Sequence, residues 1–539
     1  MDWLEPRMML AVTGLPLKIG ANGFDAGQRV IATADGGYVV AGMFAGTIKL
    51  NSASLGNFNL TSRSDTDLFV AQYNADSSLR WIRQLGGFGG EDGINDQDKS
   101  IDIAANPERA GGGFINGVGP QPISAGEYVN DMVVAKDGSI ILCGEFLSQI
   151  DFDPGHGRAI LTNADDDFYD AFVLKLNSGG GFLWVHQISE RFTDAASGVA
   201  VNSNGDVLVT GLFSRTIDFK PGDLNFRRTA SGRADGYLMK LSASSGTPIW
   251  VNTFGSEATD ANERDAGLDL AVDSADNIYM VGTFVGNVDF DPSPTSSKVL
   301  IGIGDTDGFL AKYTTDGRFR YAANVGGEAF DGLTNVAVDS QDSVYVSGYF
   351  EGNDFDAELG AGVQRINAAP KDPGDDEPTF TDVFIEKLAG GKVQWIQQLA
   401  GSGNEFTSDL GIDSNDNLLV AGAWYGHAKF GTSSQTLTSV AGTDDFDDAN
   451  DGDRELSYDA FLWRLAGTNG ATQYVKPIGS NFDEFGIGLG VASDDSVLLT
   501  GRFRGTVDFD TGRGKKNLSA GGFADLFITG FDAGGAPLF

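Results

Sequence analysis

Apolar residues in this chain come in short runs separated by polar turns, and the arrangement recurs along its length. The segment from Ala266 to Gly326 shows the unit. LDLAVD reads as a strand, SADN as a tight turn, IYMVGTFVGNVDF as a second strand, GFLAKYT as a third, TDG as a turn and RFRYAANVG as a fourth. The middle strands are apolar on both faces, so a sheet this small has to be covered on both sides. No stretch reads as a long amphipathic helix.

Three marks track the unit. A Gly-x-aromatic triplet ends an apolar run seven times, with its glycine at Gly42, Gly144, Gly211, Gly282, Gly348, Gly422 and Gly501. In strict alternation with these, Asp-x-Phe or Asp-x-Tyr opens another run at Asp67, Asp170, Asp235, Asp307, Asp382, Asp459 and Asp525. Most units close on an aromatic after a short turn: Trp81, Trp184, Trp250, Tyr321, Trp395 and Tyr474, with Phe539 at the end of the chain. Four antiparallel strands repeated seven times, each sheet needing a neighbour on both faces, predict an all-β fold: a single seven-bladed β-propeller. The repeat also explains how 539 residues, several times the usual domain length, can form one domain. The last unit stops at Phe539, before its fourth strand. Leu17 to Gly20 resembles the fourth-strand segment VKPIG at Val475 to Gly479, so the start of the chain is expected to complete the last blade and close the ring.

Units such as AVDSADNIYMVGTFVGNVDFDP followed by TDGFLAKYTTDG resemble the bacterial seven-bladed β-propeller repeat, often abbreviated SBBP, found in exported and surface proteins. The resemblance covers residues 15 to 539 and bears on fold rather than activity, because propellers host enzymes, binders and scaffolds alike. Separately, Leu4-Glu5-Pro6-Arg7-Met8-Met9-Leu10 is similar to the LEPR-XLL motif near the N-terminus of many exported planctomycete proteins, with Met9 where that pattern has leucine. Together these resemblances imply an extracellular or cell-surface location. The domain reading is a tag at 1–13 and the propeller at 14–539, with a crossing insertion at 88–127.

Acidic residues outnumber basic ones 75 to 37, and the formal charge of −38 repels phosphate backbones and anionic lipid. Nucleic acid is therefore a poor partner, and no apolar run is long enough for membrane insertion. The one cysteine, Cys143, sits in an apolar strand and is read as packing. Oligomeric state is not legible.

Turn lengths separate the two faces of the ring. First-to-second strand turns are uniformly tight (ADGG, KDGS, DSADN, DSQDS), whereas the opposite face carries long segments at Asp356 to Asp382 and Gly431 to Asp459. A protein or polysaccharide ligand is expected on that loop-rich face. Its densest acids are Asp165, Asp166 and Asp167; Asp375 and Asp376; and Asp445, Asp447, Asp451 and Asp453. Closely spaced carboxylates suit a hard cation, which makes Ca2+ the candidate cofactor, with a solvated acidic loop as the alternative. The third cluster does not follow EF-hand spacing, since Ala449 falls at a ligand position. No phosphate-cradling glycine loop indicates a nucleotide cofactor, and His156, His186 and His427 are too scattered for a zinc site or a catalytic triad.

Asymmetry among the copies supplies the remaining candidates. Thirteen residues before each Gly-x-aromatic glycine stand Arg29, Asp131, Gly198, Asp269, Asn335, Asp409 and Gly488. By symmetry they form one level of the central channel, near its mouth on the loop-rich face. Arg29, Asp131, Asp269, Asn335 and Asp409 could bind a sugar. The three aspartates could instead divide acid and base roles in a carbohydrate-active enzyme, a glycoside hydrolase or lyase. The bland reading is a set of polar residues facing channel water. The functional expectation is a non-catalytic binding or scaffolding module, with the enzyme and a structural subunit of a surface assembly as alternatives.

Overall fold

Short strands that bury both faces are stable only when packed against copies of themselves, and the structure realises this as seven four-stranded antiparallel blades. The computed structural model describes residues 13–538 except 21–22, 53–55, 64–65, 88–126, 148, 156, 165–167, 258–263, 361, 371–380 and 441–456. The blades, numbered in chain order, have innermost strands Asp25–Ala32, Tyr128–Val134, Ala195–Val201, Ala266–Val272, Gly332–Val338, Glu405–Ile412 and Phe485–Val491. Blade 4 continues through Ile278–Phe284 and Asp307–Tyr313 to Phe319–Val325. Second strands such as Ile140–Phe146 and Leu418–Trp424 are buried at every position, and Cys143 lies among them in the core.

The Gly-x-aromatic signal has a steric origin. Each innermost strand carries a β-bulge against the second strand, as between Gly27 and Arg29 or between Gly267 and Asp269, and all seven blades repeat it. The glycine faces this crowded stretch. A Cβ on Gly282 would lie 1.9 Å from the Ala266 carbonyl oxygen and 2.8 Å from the Phe309 ring. The aromatic two residues on, here Phe284, packs with Phe309 and Phe290, and the same cluster fills the outer part of other blades, as with Phe503, Phe509 and Phe527.

The second strand is shorter than its apolar pattern suggests. It stops at the aromatic, turns through a left-handed residue such as Gly286 (φ 64°), and resumes as a separate outer hairpin of Asn287–Asp289 with Val299–Ile301. Described blades 1, 4, 5, 6 and 7 use glycine there (Gly46, Gly286, Gly352, Gly426, Gly505), whereas blade 3 uses Arg215 at φ 58° within one long strand, Val207–Asp218. Asp289 closes its hairpin by accepting the Asp291 and Lys298 N–H groups at 3.1 and 2.7 Å, so the Asp-Phe-Asp motif works as turn chemistry.

The ring closes as expected. Leu17–Ile19 pairs antiparallel with Asp525–Phe531, with Lys18 opposite Phe527, and supplies the fourth strand of blade 7. The Lys18 ammonium lies 2.7 Å from the fully buried Asp525 carboxylate.

Asp525 belongs to a repeated set. The Asp-x-aromatic aspartates are all buried and accept the N–H returning from the outer hairpin, as Ile303 donates to Asp307 at 2.7 Å and Gly521 to Asp525 at 2.8 Å. Beside them stands a second buried set, Asp25, Glu127, Asp194, Asp265, Asp331, Glu405 and Glu484, each seventeen residues before a Gly-x-aromatic glycine. Asp265 accepts from the Ser256 and Val285 N–H groups, and Asp194 from those of Glu190 and Ser214. The two sets meet between blades, where the second acid's own N–H bonds the carbonyl just before the first: Asp331 to Thr306, Glu484 to Tyr458, Asp25 to Ala524. Burial, and then the neighbouring carboxylate, raises their pKa values: to about 8 for Asp331 and about 6 for Asp265, and well above the usual range for Asp194, Glu405 and Glu484.

Two outcomes follow for stability. Lys18→Met is expected to cost about 2 kcal/mol by urea denaturation, less than the loss for a fully buried pair because the Lys18 side chain is 29% exposed; an unchanged midpoint would remove the ion pair from the closure. Carboxyls held protonated in the fold but ionised when unfolded stabilise at low pH, and that stability is lost as pH rises through the folded values. The melting temperature is therefore expected to fall between about pH 5 and about pH 8 at constant ionic strength, and less steeply in Asp331→Asn, whereas a flat or rising profile would contradict the protonated pairs.

Candidate functional site

The seven positions thirteen residues before each glycine all fall at the bulge of an innermost strand. Arg29, Asp131, Asp269, Asn335 and Asp409 are brought together around the channel, as one level. They lie midway along their strands, at the waist of the channel.

The bulge frees main-chain N–H groups, and the aspartates take them. Asp131 accepts the Met132 N–H of its own blade and the Val199 N–H of the next, both at 2.7 Å. Asp269 does the same with Leu270 (2.7 Å) and Val336 (2.8 Å), and Asp409 with Leu410 and Leu489 (both 2.8 Å). Each aspartate thereby bolts its blade to the following one. Gly198 and Gly488 are the receiving positions, and a Cβ there would lie 2.9 Å from the Asp269 Cα and 2.8 Å from the Arg29 Cα. Asn335 continues the belt by donating from Nδ2 to the Ser408 carbonyl at 3.2 Å. Three aspartates can link only blades 2–3, 4–5 and 6–7. Arg29 fills the odd place, its Nε 3.6 Å from Asp131 and its Nη1 2.8 Å from the Gln28 carbonyl.

Electrostatics follow the position of Arg29. Burial raises all three aspartates, but the guanidinium opposes this at Asp131 and at Asp409, which is pushed up to about 6. Asp269 gains no such relief; burial, then the Asp131 charge, holds it well above the usual carboxylate range. A protonated acid near ionised ones is an arrangement that glycosidic chemistry can use. Here, however, both oxygens of every aspartate already accept a main-chain N–H.

The candidate cation ligands Asp165, Asp166, Asp167, Asp375, Asp376, Asp445, Asp447, Asp451 and Asp453 lie outside the described residues. Among the described residues no group of three or more carboxylate, histidine or cysteine side chains is arranged to hold a metal ion, and no helix is long and apolar enough to cross a membrane.

Among the described residues, two cavities escaped the sequence reading. On the tight-turn face, a cleft of about 710 Å³ opens between blades 4 and 5 beside Tyr279, Tyr321 and Arg320. Its cause is a short hairpin turn at Gly390-Gly391, which has nothing within 4 Å of either Cβ position, whereas Gly180, Gly246, Gly317 and Gly470 sit against Trp81, Trp184, Trp250 and Trp395. On the loop-rich face, a smaller cavity of about 250 Å³ is lined by Phe168, Phe192, Arg215, Arg233 and Arg264. One signal for the second was present in the sequence: Arg215 stands where blades 1, 4, 5, 6 and 7 have glycine.

Removing a waist aspartate strands two N–H groups. Asp269→Ala is expected to lower stability by about 2 kcal/mol and Asp269→Asn by about half that, since the amide oxygen still accepts one bond; urea midpoints unchanged in both variants would show that the belt carries no load.

No protein-family model matches the chain. It is similar to an uncharacterised WD repeat-containing protein of Acanthamoeba polyphaga mimivirus, at 21% identity over 324 residues, a match spanning 56% of this chain and 22% of that protein. Among solved structures it is similar to U3-55K, at 10% identity and TM-score 0.38 over 95% of this chain and 98% of that one. It is also similar to a polysaccharide lyase of family PL25, an ulvan lyase, at 10% identity and TM-score 0.39 over 96% and 97% of the two chains. The chain is thus a seven-bladed β-propeller with a distant WD-repeat relative.

Proposed function

We propose that this chain is a non-catalytic binding or scaffolding module of the cell exterior or surface, meeting a protein or polysaccharide on its loop-rich face. The observation that carries the reading is the commitment of Asp131, Asp269 and Asp409 to main-chain N–H groups on two blades each. Carboxylates used in this way hold a scaffold together and are poorly placed to move protons for a substrate. The uneven lengths of the two faces support the choice of side, because loops on a rigid frame are where recognition concentrates. Location rests on the similarity of Leu4 to Leu10 and of the repeat to exported proteins. Ca2+ held by the acidic loops would neutralise part of the −38 charge where a partner approaches.

The test pairs retention with turnover. Affinity electrophoresis through a panel of neutral and acidic polysaccharides is expected to retard the wild type and Asp269→Asn equally, with no reducing ends or unsaturated sugars released by either. Product formed by the wild type and lost in Asp269→Asn would establish the carbohydrate-active enzyme instead. Melting with millimolar calcium or a chelator belongs to the same experiment, and an unchanged transition would strike calcium from the proposal.

A further inference from the structure

The smaller cavity on the loop-rich face has the wrong charge for its setting. Lysine and arginine together number 37 against 75 acids, yet three of its walls are guanidinium groups. They come from three places in the chain: Arg215 from the outer turn of blade 3, Arg233 from the residues before Asp235, and Arg264 from the crossing into blade 4. Arg264 has no hydrogen-bond partner among the described residues; burial, then the nearby Arg233 charge, lowers its pKa, against the opposing charge of the buried Glu145. An anionic ligand would add a counter-charge on the open side of these guanidinium groups, beyond the one that Glu145 gives Arg264 from within.

Arg215 carries a second, independent sign. It occupies the left-handed position (φ 58°) that blades 1, 4, 5, 6 and 7 give to glycine. A long side chain is kept at a position where it strains the backbone, and strain of this kind concentrates at binding sites. The guanidinium lies 5.0 Å from the centroid of Phe192, which in turn packs 5.2 Å from Phe168. Phe192 is 37% exposed, unusual for a phenylalanine in this fold, and with Phe168 gives the cavity an apolar wall beside its basic one. At about 250 Å³ the space suits one sugar-sized unit.

We propose that this pocket binds a single anionic sugar unit of a polysaccharide, with Arg215 and Arg264 on its carboxylate or sulfate group and Phe168 and Phe192 against its ring. The assignment rests on the binding-module reading and names a ligand class for the loop-rich face. The shared chemistry is a trigonal or tetrahedral oxyanion on an apolar-faced ring, and its source is settled by the choice of probe.

Calorimetric titration of the full chain separates the cases, with trigalacturonate as the carboxylate probe, a κ-carrageenan tetrasaccharide as the sulfate probe, maltotetraose as the neutral control and hexaglutamate as the acidic peptide. One or both anionic saccharides are expected to bind and the neutral one not. Arg215→Gly is the decisive variant, because it introduces the glycine that five of the other blades have: its melting temperature is expected to rise while affinity falls about tenfold or more, the effect of losing one charged contact. Arg264→Gln should weaken binding similarly. Binding of maltotetraose or hexaglutamate as tight as that of the anionic saccharides, affinity unchanged in Arg215→Gly, or no heat with either anionic saccharide at millimolar concentration would each overturn the pocket. None of these outcomes alters the turnover assay, so failure of the pocket and failure of the non-catalytic reading remain distinguishable.

Discussion

The fold depends on how neighbouring blades are joined, because no blade can bury both of its faces alone. Apolar packing supplies the bulk of that contact, but it is non-directional and cannot fix register between blades. Direction comes from main-chain pairings, such as Leu399–Gly401 with Ala428–Phe430, and from carboxylates. The carboxylates act at three heights. On the tight-turn face, Ser203, Ser274, Ser340 and Ser414 each donate through N–H and hydroxyl to Asp276, Asp342, Asp416 and Asp495 of the next blade. At the waist, three aspartates reach across the bulges. On the loop-rich face, pairs of buried acids hold the hairpins and crossings in place.

This economy changes the meaning of the acidic composition. Much of the excess charge does not form an outward-facing field. It consists of main-chain acceptors, several of them pushed toward the protonated state by burial. The odd number of blades leaves one waist position without a partner, and the chain places its one basic residue of the ring, Arg29, there. The closing junction is also singular, since the short strand Leu17–Ile19 brings Lys18 to a buried acid. Both exceptions lie beside the seam where the ends of the chain meet.

Period and closure were legible in the residues because they have steric causes. Gly282 and its six counterparts are glycines for want of space, and Leu17 to Ile19 matches the fourth-strand pattern it completes. The ring of Arg29, Asp131, Asp269, Asn335 and Asp409 was found from spacing alone, but its purpose was not, because a bulge on the neighbouring strand leaves no mark in composition. The buried acids from Asp25 to Glu484 are as regular as the glycines and went unread, since a lone carboxylate before a strand looks like ordinary turn chemistry. Arg215, Arg233 and Arg264 share no motif. Only the folded chain brings them to one cavity, and the sign of it in the sequence is a long basic side chain, Arg215, where five other blades have glycine.

Native-state hydrogen exchange at the Val199, Val336 and Leu489 amides tests the central claim most directly, since each N–H donates to an aspartate of the preceding blade. These three amides are expected to exchange as slowly as the blade cores in the wild type. In a variant with Asp131, Asp269 and Asp409 all changed to alanine they should quicken about a hundredfold, while the Val281 amide inside blade 4 stays slow. Fast exchange at all three in the wild type, or no change in the variant, would mean that the waist aspartates do not join the blades.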